Sequence, residues 1–157
     1  MTIEAGAVEV RPAAADDLPA CADIVNDWID ATPWMNRVAS REAIHEAVCG
    51  ALDARRTIWV GTRDGAVVGY LSMDAQDFVH GLYLAPHAAG SGLGRRLVDA
   101  AKEHSPQGLR LTVFEPNADA RRFYDHVGFR EVPDAYTPAS ETEEGIATVM
   151  MEWRPEA

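Results

Sequence analysis

The sequence predicts a mixed α/β domain with helices on both faces of a central sheet. Segments in which apolar residues alternate with polar ones, as in strands, take turns along the chain with segments of helical spacing. A glycine-rich turn at residues 90–94 joins one such strand to an amphipathic helix. The chain has 157 residues, a usual length for one domain, so we expect residues 1–157 to form a single domain.

The first half of the chain predicts one strand, two helices and then three strands. The first helix opens at Ala15 and stops before Pro33, and the second begins with Ser40 as its N-cap. The dipeptide Asp64-Gly65 is typical of a tight hairpin turn between two strands. The strands in this half are predicted at residues 8–11, 57–61, 66–72 and 78–84.

The second half continues with a helix, a strand, a helix and a strand. The helix after the glycine turn is amphipathic, and residues 109–114 alternate as a strand. A short helix is predicted between Asn117, which suits an N-cap, and Gly128, which suits a C-terminal stop. Residues 147–153 supply the last strand.

Composition excludes several classes of protein. Lys and Arg total 14 against 25 Asp and Glu, and the net charge of −11 argues against binding to nucleic acid or to anionic membranes. No apolar run approaches the roughly 20 residues that span a bilayer, and the N-terminus lacks a signal pattern. We therefore expect a cytoplasmic protein. Cys21 and Cys49 suggest buried thiols rather than a disulfide framework, and no metal-ligand spacing is present.

The glycine turn has the features of an anion site. Gly90, Gly92 and Gly94 lack a Cβ, so their backbone N–H groups can approach a phosphate closely, beside the partial positive charge of a helix N-terminus. The spacing does not fit the Gly-x-Gly-x-x-Gly motif of dinucleotide folds, and no Gly-Lys-Ser/Thr of a phosphate-binding ATPase loop follows. We predict a ligand that carries a pyrophosphate.

Two motifs give the chain a family resemblance. Residues 89–94 read Ala-Gly-Ser-Gly-Leu-Gly, and the second motif consists of Asn117, Ala120, Phe123-Tyr124 and Gly128-Phe129. With these motifs, residues 8–153 resemble the GCN5-related N-acetyltransferase (GNAT) superfamily, whose acyl-CoA loop reads Arg/Gln-x-x-Gly-x-Gly/Ala. Ala89 departs from that pattern at the first position, which implies weaker cofactor binding.

The resemblance implies a mostly antiparallel, twisted sheet that splays into a V and holds acetyl-CoA as the acyl donor. The backbone of Leu82, Tyr83 and Leu84 would pair with the pantetheine arm and offer an oxyanion donor. Asn117 would contact the cofactor in addition to capping its helix. The loop residues implied to bind the cofactor's pyrophosphate are Ala89, Gly90, Ser91, Gly92, Leu93, Gly94 and Arg95.

Tyr124 is the residue that the resemblance implies as the catalytic acid. A phenol with an ordinary pKa of about 10 is protonated at neutral pH and can give its proton to the departing thiolate. Asp77, His80 and Glu144 are candidates for the base that deprotonates the amine, and imidazole chemistry favours His80. A structural role for His80, with water as the base, is the alternative.

The acceptor side of the slot is predicted from the variable segments. Trp28 and Trp34 belong to the link at residues 28–37 that joins the first two helices, and Glu144 belongs to an acidic loop predicted over residues 134–145. The expected acceptor is an amine of a small molecule or a peptide. A noncatalytic acetyl-CoA sensor or scaffold is the alternative function, and a homodimer is compatible with the fold.

Overall fold

The computed structural model describes residues 7–155. Within that range it contains seven strands and four α-helices. The strands are β1 (Val8–Pro12), β2 (Thr57–Arg63), β3 (Ala66–Met73), β4 (Val79–Leu84), β5 (Leu109–Phe114), β6 (Arg130–Thr137) and β7 (Thr148–Trp153). The helices are α1 (Leu18–Ala31), α2 (Arg41–Cys49), α3 (Leu93–His104) and α4 (Ala118–His126).

The strands form two antiparallel sheets that diverge from a shared base. One sheet has the order β1-β2-β3-β4 and the other has the order β5-β7-β6. In the part of the chain that the structure describes, β4 and β5 approach each other only at the parallel bridge between Phe78 and Arg110, where the Arg110 N–H donates to the Asp77 carbonyl at 3.0 Å. The predicted antiparallel sheet that splays into a V is confirmed.

The four-stranded sheet packs helices against both of its faces. Ile58, Val60 and Tyr70 point to the side of α1 and α2, where they join a core with Leu18 and Val25. The neighbouring side chains in the same strands point to the side of α3, as strand alternation requires. These side chains form a second core together with α3 and the three-stranded sheet. Residues of this core include Trp59, Leu71, Met73, Leu97, Leu111 and Phe129. The prediction of helices on both faces is confirmed.

Local signals set most of the element boundaries. The Ser40 hydroxyl accepts a hydrogen bond of 3.0 Å from the Ala43 N–H and caps α2. Asn117 Oδ1 accepts one of 3.2 Å from the Ala120 N–H and caps α4. Asp64 and Gly65 both have positive φ, 53° and 83°, in the turn between β2 and β3. The predicted caps and hairpin are confirmed.

The predicted loop at residues 134–145 is wrong over its first four residues, because β6 extends to Thr137. Pro133 and Asp134 interrupt the alternation that would have revealed this strand. Asp134 has a φ of 63°, and the pairing of β6 with β7 shifts between Glu131 and Tyr136. The connection that leads to β7 therefore begins at Pro138.

Two further sequence predictions concern cysteines and membrane spans. Cys21 and Cys49 are both free thiols; Cys21 is buried and Cys49 is half-buried. Among residues 7–155, none of the helices is both long and apolar enough to cross a bilayer.

Candidate active site

The opening between β4 and β5 forms a cleft of about 600 Å³. Its walls come from both diverging strands, from the glycine turn before α3 and from one side of α4. The predicted site residues that line this cleft are Trp28, His80, Leu82, Tyr83, Leu84, Ala89, Gly90, Gly94, Asn117 and Tyr124. The fold thus collects most of the predicted residues around one cavity.

The glycine turn presents free backbone donors at one end of the cleft. Gly90 and Gly92 have φ values of +78° and +83°, and Gly92 is the N-cap of α3. No acceptor among residues 7–155 takes the N–H groups of Gly90, Gly92, Gly94 and Arg95. These four donors surround the positive end of the α3 dipole, an arrangement suited to an anion.

Two members of the turn have internal partners instead. The N–H of Ser91 donates to the Ala88 carbonyl at 3.2 Å, and the Ser91 hydroxyl donates to the same oxygen at 2.5 Å. The Leu93 N–H donates weakly to Ser91 Oγ at 3.3 Å, and the Leu93 side chain is fully buried in the core. Ser91 and Leu93 therefore shape the turn from within.

Side chains around the turn contribute little to a ligand site. Ala89 lines the cleft and offers only a methyl group there. Arg95 is exposed, whereas Arg96 donates to the carbonyl of Val8 on β1. Arg63 donates from Nη1 to the His87 carbonyl at 2.9 Å and braces the start of the turn. The anion site thus depends mainly on the backbone.

Tyr124 projects from α4 into the cleft and is only 9% exposed. Its ring makes edge contacts with Phe123 and Phe129, at centroid distances of 5.3 and 5.5 Å. Burial raises the pKa of Tyr124 well above its ordinary value, and the nearby Tyr83 adds to the rise. Its hydroxyl has no hydrogen-bond partner within the described residues. The phenol is therefore a protonated donor that is free to bind a ligand in the cleft.

Asn117 has one free amide group facing the cleft. Its Oδ1 is used as the helix cap, whereas its Nδ2 makes no hydrogen bond to residues 7–155. One side chain can therefore cap α4 and still donate to a ligand.

His80 has a carboxylate partner that the sequence reasoning missed. A hydrogen bond of 2.7 Å joins His80 Nε2 to Asp74 Oδ2. Burial alone would raise the pKa of Asp74, but hydrogen bonds from His80 and from the N–H groups of Phe78 and Gln76 hold that pKa below its usual value. Asp77 instead accepts a hydrogen bond of 2.6 Å from Ser105, at the base of the V. Among the residues that the structure describes, only His80 and Asp74 form an imidazole–carboxylate pair at the cleft.

Aromatic rings close the end of the cleft opposite the glycine turn. Trp28 contacts Tyr83 edge to face at a centroid distance of 5.4 Å. Trp34 does not line the cleft within the described residues, but it packs behind the wall, 5.8 Å from Trp28 and 5.9 Å from Phe114. Trp34 therefore links α1 to the end of β5.

Glu144, in the connection before β7, does not line the cleft within the described residues, but its charge acts on Tyr83 of the cleft wall. It is half-buried, and Asn36 Nδ2 donates a hydrogen bond of 2.8 Å to its carbonyl oxygen. Burial raises the pKa of Tyr83, and the negative charge of Glu144 raises it further. Arg37, which the sequence reasoning also missed, holds the neighbouring α1–α2 connection by hydrogen bonds to Asn26 and Asp30. No sequence motif marks Asn36 or Arg37.

Comparison with known proteins identifies the class. The model of the acetyltransferase (GNAT) family matches residues 21–129 of this chain. Because the match covers more than half of the sequence, the chain belongs to the acetyltransferase (GNAT) family. The family resemblance and the acetyltransferase class predicted from the two motifs are confirmed.

Individual relatives agree with this assignment. The chain is 26% identical over 147 residues to the peptidyl-lysine N-acetyltransferase YiaC of Escherichia coli (strain K12), covering 92% of this chain and 95% of the relative. Its fold is shared with ribosomal-protein-alanine N-acetyltransferase from Brucella melitensis (TM-score 0.71, 24% identity, 94% and 99% of the two chains). It is shared as well with yncA from Salmonella typhimurium, solved with its cofactor acetyl-CoA (TM-score 0.71, 22% identity, 96% and 95%).

Proposed function

We propose that this protein transfers the acetyl group of acetyl-CoA to a primary amine of a small molecule or a peptide by direct nucleophilic attack. The observation that carries the proposal is the cluster of four free backbone N–H groups at one end of a 600 Å³ cleft, whose wall holds the protonated Tyr124. The acetyl-CoA bound to yncA and the peptidyl-lysine N-acetyltransferase name of YiaC support this activity class.

The proposed donor site runs along β4 from the glycine turn. The N–H groups of Gly90, Gly92, Gly94 and Arg95 would bind the pyrophosphate, and the Asn117 amide would add one donor. The edge of β4 at Leu82–Leu84 has no strand partner on the cleft side in the described chain, so its backbone groups can pair with the amides of pantetheine. The weak point of this site is Ala89, which supplies no side-chain donor.

The proposed chemistry divides proton transfer between two groups. The amine nitrogen attacks the thioester carbonyl carbon, and a backbone N–H in the Leu82–Leu84 stretch stabilises the negative charge that develops on the oxygen. The carbon–sulfur bond then breaks, and the Tyr124 hydroxyl gives its proton to the departing sulfur. His80, oriented by Asp74, or a water bound to it, takes the proton that the amine loses.

Thiol release from acetyl-CoA, measured across a panel of primary amines, tests the proposal beside calorimetric titration with acetyl-CoA. Binding together with amine-dependent thiol release is the expected result. Binding with no release for any amine would favour the noncatalytic sensor, which the alanine at position 89 and the lack of an assured catalytic base both suggest. Absence of binding at millimolar acetyl-CoA would overturn both functions.

A further inference from the structure

A second cavity of about 250 Å³ lies behind β4, between the sheet and the helices α1 and α2. Most of its wall is apolar, and the polar groups on it are Arg56, Tyr70, Ser72, His80 and Tyr83. The proposed transfer reaction uses no group that belongs to this cavity alone. Its polar lining therefore needs an explanation of its own.

The polar groups without a partner in the described part of the chain include the Ser72 hydroxyl and the Arg56 guanidinium. Ser72 is 5% exposed, and its hydroxyl makes no hydrogen bond to any described residue. Arg56 is half-buried, and within residues 7–155 its guanidinium forms neither a hydrogen bond nor an ion pair. Buried hydroxyls and half-buried arginines normally have partners, and this chain has many carboxylates to offer. A ligand with an anionic group would satisfy both.

The second cavity adjoins the cleft at Gly81. His80, Gly81 and Tyr83 line both cavities. A Cβ built on Gly81 would lie 3.0 Å from Tyr83 Cε2 and 3.6 Å from the Tyr70 hydroxyl, so the bare glycine keeps the space between these rings open. A substituent of an amine held in the cleft has a path over Gly81 into the second cavity.

Groups of opposite charge lie near the two tyrosines beside Gly81. Tyr70 and Tyr83 stack at a centroid distance of 5.9 Å. Burial and then the charge of Glu144 raise the pKa of Tyr83, which lines both cavities, whereas the guanidinium of Arg56 lines the second cavity. A molecule with an ammonium group in the cleft and an anion toward Arg56 would match both charges.

We propose that the acceptor is an amino acid-like zwitterion, whose amine enters the cleft while a short apolar chain crosses Gly81 and places a carboxylate at Arg56 and Ser72. This inference rests on the proposed acetyl transfer and names its substrate class. The apolar chain would lie against Val25, Ile44, Val48 and Ile58. A charge-assisted pair with a carboxylate would then explain why Arg56 has no partner in the protein itself.

Three amines of equal chain length test the substrate class: δ-aminovalerate, n-pentylamine and cadaverine. We expect kcat/KM for δ-aminovalerate to exceed that for the other two by about ten- to hundredfold, the range of a hydrogen bond to a charged group. Arg56→Gln should abolish the preference and leave turnover of n-pentylamine unchanged. Arg55→Gln, a change at the exposed neighbour that does not line the cavity, should retain the preference. Turnover of all three amines with equal kcat/KM would overturn the inference and leave the proposed function standing.

A binding measurement tests the second cavity independently of acetyl transfer. Valerate has the chain and the carboxylate but no amine, and its affinity is measured by calorimetry without acetyl-CoA. We expect it to bind wild type and Arg55→Gln, and to bind Arg56→Gln at least tenfold more weakly. Gly81→Val should lower kcat/KM for δ-aminovalerate at least tenfold, while its affinity for acetyl-CoA shows that the variant is folded. Equal valerate affinities for wild type and Arg56→Gln would overturn the inference whatever the transfer assay shows.

Discussion

Asn36 Nδ2 donates a hydrogen bond of 2.8 Å to the carbonyl oxygen of Glu144, a residue 108 positions further along the chain. This bond joins the connection between α1 and α2 to the connection before β7, near the part of the cleft where we propose that the acceptor binds. Such a bond contributes about 1 kcal/mol to the free energy that holds the two segments together, so they can still separate transiently.

Asn36→Asp removes the donor while keeping the size of the side chain. We expect KM for the acceptor amine to rise about fivefold, because the segment that carries Glu144 loses its anchor. The Kd for acetyl-CoA should stay the same, since the glycine turn lies at the other end of the cleft. Gln107→Ala, an exposed change away from the cleft, is the control, and an unchanged acceptor KM in Asn36→Asp would contradict this role.

Tyr124→Phe tests the proposed acid. We expect kcat to fall by about a hundredfold, the lower range for loss of a positioned proton donor, with the Kd for acetyl-CoA within a factor of two. Stability should change little, because the hydroxyl makes no hydrogen bond within residues 7–155. Tyr136→Phe, at an exposed position on β6, is the matched control. An unchanged kcat in Tyr124→Phe, with a good acceptor, would remove the acid role.

Gly92→Ala and Gly65→Ala form a matched pair. Both glycines have a φ of +83°, and an added Cβ would meet nothing within 4 Å at either. Both substitutions should lower the free energy of unfolding by roughly 1–2 kcal/mol through backbone strain alone. Only Gly92→Ala should weaken acetyl-CoA binding, measured by calorimetry, because Gly65 lies in the hairpin turn between β2 and β3. Equal acetyl-CoA affinities in the two variants would place the pyrophosphate elsewhere.

Asp74→Asn tests the orientation of His80. We expect Asp74→Asn and His80→Gln each to lower kcat/KM, and the double variant to be no slower than the slower single one, since the two side chains act as one unit. Additive losses would mean that the two residues act separately.

From the lowered pKa of Asp74 we also predict that the free energy of unfolding depends on pH. Its folded pKa is lowered, so its contribution to stability is complete above the unfolded pKa of about 4 and is lost as the pH falls through the folded value. The difference in unfolding free energy between wild type and Asp74→Asn should therefore shrink below about pH 4, as followed by urea denaturation.

From the buried thiol of Cys21 we predict that the free energy of unfolding falls at alkaline pH. Burial raises the pKa of its thiol from 9.0 to about 12, helped by the charges of Asp17 and Cys49. Above pH 9 the unfolded chain releases this proton while the folded chain keeps it, so the free energy of unfolding falls by up to about 1.4 kcal/mol per pH unit until about pH 12. Cys21→Ala should show a shallower slope in this window, whatever its stability at pH 7. Equal pH slopes of the unfolding free energy in wild type and Cys21→Ala would contradict a raised pKa for the Cys21 thiol.

Features that depend on neighbouring residues could be predicted from the sequence. The Asp64-Gly65 turn, the caps at Ser40 and Asn117 and the glycine turn each follow from the conformational preferences of a few adjacent residues. The cleft between β4 and β5 was implied by the family resemblance that the two motifs carry.

Features that depend on distant pairing could not be predicted. Strand β6 was missed because Pro133 and Asp134 break its alternation, and β7 pairs with it despite the irregular register. The Asn36–Glu144 bond and the cavity that contains Arg56 and Ser72 arise only when separate segments come together. No local pattern of residues marks such contacts.

Within residues 7–155, the divergence of β4 and β5 leaves the facing edge of each strand without a strand partner beyond the bridge at Phe78. Unpaired strand edges can pair with strands of other molecules, which leads to aggregation at high protein concentration. A donor that pairs with Leu82–Leu84 would cover the free edge of β4, so we expect the purified enzyme to aggregate more slowly with the donor, or a non-reactive analogue, than alone.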